Sequence, residues 1–109
     1  MVNPGISLNI PNWVMSSNFE LVQQIASTTN GTLEKIKGDV DSYKIIIDKI
    51  LIHIMDAGSG QRSIPYDRIS FGSIGSLDVN GKPSSERGIT HIDIIDPNQA
   101  YEQIMNILQ

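Results

Sequence analysis

Residues 18–57 read NFELVQQIASTTNGTLEKIKGDVDSYKIIIDKILIHIMDA, and the parsing of this stretch decides the fold. Stepping alternately three and four residues from Phe19 gives Phe19, Val22, Ala26, Thr29, Leu33, Ile36, Val40, Tyr43, Ile47, Ile50, Ile54 and Ala57. All except Thr29 are apolar, which is an a/d heptad pattern held over about five heptads. Gly31 and Gly38 both fall at f, away from any seam, although each costs roughly 1 kcal/mol of helix propensity. Ser17 or Asn18 can cap the start, with Glu20 in the first turn, where the helix dipole favours it. Gly58 is a natural left-handed terminator.

On this parsing the spacing predicts one helix about 58 Å long. A chain of 109 residues cannot wrap such a helix, so copies would have to pair along it. The expected oligomerisation seam is Leu33, Ile36, Val40, Tyr43, Ile47, Ile50 and Ile54. β-Branched residues at both a and d favour trimers or higher states. A second parsing breaks the helix at Ser27-Thr28-Thr29-Asn30-Gly31-Thr32, a cluster of turn residues. It gives an antiparallel helical hairpin of residues 17–29 and 33–57. From Tyr43 onward the stretch is apolar on nearly every side, which implies burial against more than one neighbour.

The flanks complete an α+β expectation. Residues 1–17 read as a polar, turn-rich arm in which Ile6, Leu8 and Ile10 alternate, followed by Trp13. Residues 58–67 read as a linker. Residues 68–109 read as a small antiparallel β-hairpin plus helix. Ile69 and Phe71 alternate, as do Leu77 and Val79, while Asn80-Gly81 marks a turn. Ile89–Ile95 reads as a strand, and Asp96-Pro97 opens a C-terminal helix with Asp at the cap and Pro at the first position.

Composition narrows the function. The chain has no cysteine, which removes disulfides, thiolate metal sites and cysteine nucleophiles. Its net charge of −4 argues against nucleic-acid or anionic-membrane binding, both of which call for a basic surface. The N-terminus lacks the basic and apolar regions of a signal peptide. The most apolar stretch, Tyr43–Met55, is too short to cross a bilayer. The expected location is therefore soluble, inside a cell or in an assembled particle. Nineteen isoleucines against six aromatic residues give a stiff, β-branched core.

Signals for chemistry are sparse. His91 and Asp93 share a strand face, but a metal site needs three or four ligands, and the other histidine, His53, is distant in sequence. Residues 58–63 (GSGQRS) superficially resemble a phosphate loop, yet they follow an expected helix C-terminus, whose dipole repels anions. No serine sits in a nucleophile-elbow context. The expectation is a non-enzymatic protein without cofactor or metal. The leading expectation is an oligomeric structural or assembly protein, of the kind found in virus or phage particles, whose partners are itself and other assembly subunits. The alternative is a small oligomeric binding protein, an inhibitor, immunity factor or sequestrant of an anionic ligand. Its pocket would lie between subunits and be lined by Arg62, Tyr66, Arg68, Phe71 and Arg87, provided that the linker and the 82–88 loop meet.

Overall fold

A computed structural model describes residues 15–59 and 62–109. The fold is α+β, but the long heptad helix and the helical hairpin are both absent. Helix α1 covers only Asn18–Thr29. It starts with a reciprocal cap. The Ser17 side chain accepts from the Glu20 N–H, and Glu20 Oε1 accepts from the Ser16 N–H at 2.9 Å. Hydrogen bonds from Ser16, its backbone N–H first and then its hydroxyl, hold the Glu20 carboxyl below its usual range. The helix ends because Asn30 turns left-handed, at φ 58° and ψ 28°.

Four strands then follow in an antiparallel meander: β1 (Thr32–Lys35), β2 (Tyr43–Ile47), β3 (Ile50–Met55) and β4 (Tyr66–Phe71). Two short strands, β5 (Gly75–Ser76) and β6 (Ile92–Asp93), share the outer edge of β4. A single helical turn, α2 (Arg87–Thr90), precedes β6, and α3 (Pro97–Leu108) closes the chain. Asp96 caps α3, its side chain accepting from the Asn98 N–H.

The heptad fails for a physical reason. The run from Tyr43 to Met55 also alternates with period two on either side of Asp48-Lys49, and β-branched residues favour that pleated form. Asp48 takes a positive φ of 51°, which closes a two-residue connection between the paired Ile47 and Ile50. Gly31 admits no side chain, since a Cβ there would lie 2.6 Å from Ile45 Cγ2. The expected seam is dispersed accordingly. Leu33 lies on β1, Ile36 just beyond it, and Val40 is 86% exposed in the β1–β2 loop. Tyr43, Ile47, Ile50 and Ile54 lie on one face of β2 and β3, paired Tyr43 with Ile54 and Ile47 with Ile50. They belong to a core within one chain and form no stripe for a second copy.

That core lies between the sheet and the two longer helices. Ile45, Ile52 and Ile69 pair across the three central strands and are fully buried. Leu21, Val22 and Ile25 of α1, and Tyr101, Ile104 and Met105 of α3, pack on them. The Thr28 and Tyr101 hydroxyls are 3.0 Å apart where the helices meet. Among the described residues no helix is long and apolar enough to cross a membrane. The alternating arm at residues 6–10, with Trp13, lies outside the described residues.

Candidate anion site on the open face of the sheet

Strand alternation sends every second residue to the face that the two longer helices leave uncovered. The register places Lys44 opposite His53, His53 opposite Arg68, Met55 opposite Tyr66, and Tyr66 opposite Asp93 on that face. The polypeptide leaving β5 builds a wall above it. Residues 77–83 double back, with an isolated bridge between Leu77 and Pro83 and with Asp78 Oδ1 accepting from the N–H groups of Asn80 and Lys82. The Ser84 N–H then donates to the Ser76 carbonyl. From there residues 84–91 cross along β4 until β6 pairs with it.

This crossing segment holds Arg87 and His91 one helical turn apart. The Arg87 carbonyl accepts from the His91 N–H at 2.9 Å and lies 2.9 Å from His91 Nδ1. The imidazole packs against Tyr66, ring centroids 5.1 Å apart. Arg62 lies over the other side of this group, its guanidinium carbon 5.2 Å from the Tyr66 centroid. Arg62 Nη2 donates to Asp93 Oδ1 at 2.5 Å and to the His91 carbonyl at 3.3 Å. Arg62 Nε is buried without an acceptor among the described residues.

Of the residues named from sequence as an anion pocket, Tyr66, Arg68 and Arg87 line one concavity, whereas Arg62 lies over the Tyr66 ring outside it and Phe71 is exposed at the end of β4. They are not equivalent. Arg62 is neutralised by Asp93, whereas neither Arg68 nor Arg87 has a carboxylate partner among the described residues. Arg68 Nη2 lies 3.5 Å from His53 Nδ1. Two open concavities meet at this pair. The larger, about 740 Å³, runs toward Ser76 and Ser85. The smaller, about 320 Å³, runs toward Ile36 and Met55. Arg68, Arg87 and His91 line both.

The electrostatics follow from this arrangement. His91 is held below its ordinary pKa, first by burial and then by the charges of Arg68, Arg87 and Arg62, against the raising effect of its bond to the Arg87 carbonyl. His53 is likewise lowered by burial, then by Arg68 and Lys44. Both shifts favour the neutral imidazole. A catalytic His91–Asp93 pair finds no support in the geometry, because Asp93 is engaged by Arg62 and His91 Nδ1 faces a carbonyl. No group of three or more metal-ligating side chains occurs among the described residues.

One titratable group escaped the sequence reading. Asp67, assigned there to the linker, lies on β4 between Ile54 and Ile92 and faces the core. It is 1% exposed, and neither carboxylate oxygen has a partner among the described residues. Burial pushes its carboxyl up to about 7. Extending the alternation back from Ile69 by one step would have placed it inward.

Compared with protein-family models, with curated proteins and with solved structures, the chain matches none.

Proposed function

We propose that this protein is a non-catalytic binding module for a small anionic ligand, received on the open face of the sheet. The observation that carries this reading is the pair Arg68 and Arg87, two guanidiniums without carboxylate partners that line the same two concavities. An anion bound between them would supply the counter-charge that both lack among the described residues. Guanidinium forks match the planar oxygen edges of phosphate, sulfate and carboxylate, so they orient a ligand as well as attract it. His91 and Asp93, the pair that could serve as base and orienting acid, are engaged by the Arg87 carbonyl and by Arg62, which supports binding over turnover. The long helix on which the assembly reading rested is absent from residues 18–57.

Sulfate is a suitable probe, because its charge is constant across the accessible pH range. Calorimetric titration should give saturable binding that weakens with added salt. The Arg68→Gln/Arg87→Gln double variant should lose at least tenfold in affinity with its thermal unfolding unchanged. Equal affinity in the wild type and the double variant would remove the proposal.

A further inference from the structure

The two concavities share one wall. Beyond Arg68, Arg87 and His91, the larger is lined by Ser76, Ser84 and Ser85 together with Ile74, Gly75 and Pro83. The smaller is lined by Ile36, Met55 and Tyr66 together with His53. Each has a volume within the range that small ligands fill, roughly 300–1,000 Å³. Arg68 and Arg87 line both. A terminal anionic group bound there would leave its carrier in one concavity and the other empty. An internal anionic group, with a substituent on each side, would occupy both.

Resting on the anion-binding reading, we propose that the ligand is a small phosphodiester of the dinucleotide type. Its single bridging phosphate lies on Arg68 and Arg87. One arm, bearing sugar hydroxyls, lies among the serines. The other places a flat ring against Ile36 and Met55. The wall carrying Arg87 is held at both ends on the edge of β4, by Ser84 N–H to the Ser76 carbonyl and by β6 pairing. The separation between the concavities is therefore built in and selects a ligand of matching span.

Charge and shape make opposite demands, which permits a sharp test. Adenylyl-adenosine (ApA) carries one negative charge, and adenosine monophosphate carries more at pH 7.5. A site that reads charge alone prefers the monophosphate, whereas a two-armed site prefers ApA. Calorimetry of the whole chain at fixed low salt should give ApA at least tenfold tighter binding than the monophosphate. Ser85→Trp, at an exposed position in the larger concavity, should bring ApA to the level of the monophosphate and leave sulfate binding unchanged. Arg68→Gln/Arg87→Gln should weaken all three ligands at least tenfold. If ApA binds no more tightly than the monophosphate while the double variant still weakens both, the diester assignment falls and the anion reading stands. If sulfate, monophosphate and ApA all fail to bind, both fall together. A ten-nucleotide oligoadenylate binding more than a hundredfold tighter than ApA would overturn the assignment in favour of an RNA strand.

Discussion

The two faces of the sheet are made from the same strands and obey opposite rules. On the helix-covered face, Ile45, Ile52, Ile54 and Ile69 are fully buried beneath α1 and α3. On the open face, one residue away along each strand, stand Lys44, His53, Tyr66 and Arg68. The first face lowers free energy by removing apolar surface from water. The second keeps Lys44, His53 and Arg68 at the surface, and Arg68 has no carboxylate partner among the described residues. Alternation thus sets a buried apolar face and a face bearing charged side chains on a single set of strands.

The sharpest way to break this comparison is to put a charge on the covered face. Ile52→Asp should cost at least about 5 kcal/mol, from lost packing together with a buried unpaired carboxylate, and should abolish the cooperative transition in urea. A folded Ile52→Asp protein would mean that the covered face is wrongly assigned.

Asp67 is the exception on that face, and it tests the comparison from within. Its folded-state pKa of about 7 exceeds the unfolded value of 3.8, so the folded chain binds this proton more tightly. Its contribution to stability is complete below about pH 4, falls as pH rises, and is exhausted above about pH 7. Asp67→Asn should therefore stabilise at pH 8 by on the order of 4 kcal/mol and by little near pH 4. Urea midpoints at the two pH values decide it, and an equal effect at both would contradict the buried, unpaired placement. His91 and His53 run the other way. Their lowered pKa values give a smaller stability contribution, present at neutral pH and lost as pH falls through the ordinary imidazole range.

Gly31 probes the contact between the α1–β1 turn and the core. Adding a methyl there meets Ile45 Cγ2 and Ile47 Cγ1, at 2.6 and 2.9 Å, and Ile45 has no room to retreat. Gly31→Ala should cost about 1–3 kcal/mol in chemical denaturation. The smallest effect belongs to the open face. Arg68→Gln and Arg87→Gln should change stability by no more than about 0.5 kcal/mol each, although both are expected to weaken sulfate binding. Sulfate affinity should also rise as pH falls below the ordinary imidazole range, where His53 and His91, lowered first by burial, gain charge beside Arg68 and Arg87.

Legibility in the sequence followed how local each signal was. Asp96-Pro97 marks a cap and a first helical residue within two positions, and α3 starts there. Asn30-Gly31 is equally local and coincides with the end of α1. The heptad overrode it only because apolar residues on two periods overlapped by chance. Residues 43–55 satisfy both a 3.5 and a 2.0 repeat. Dense β-branching and the Asp48-Lys49 break should have carried more weight than seam continuity. The arginine group was legible as a set of residues but not as a place. Nothing local to Arg62 or Arg87 encodes that β6 returns to the edge of β4.

That shared edge has a consequence for how the protein can diversify. The chain leaves β4's partner at Ser76 and is back on the same strand at Ile92. Everything between is an excursion whose two ends are anchored to a common rail. Leu77, Thr90 and His91 are buried at its ends, and loop closure penalties grow only slowly with length, so residues 78–89 between them can be lengthened, shortened or exchanged with little disturbance to the core beneath. The excursion is a cassette. Rewriting this segment of twelve residues would change the wall above the open face while the sheet and its two covering helices stay as they are.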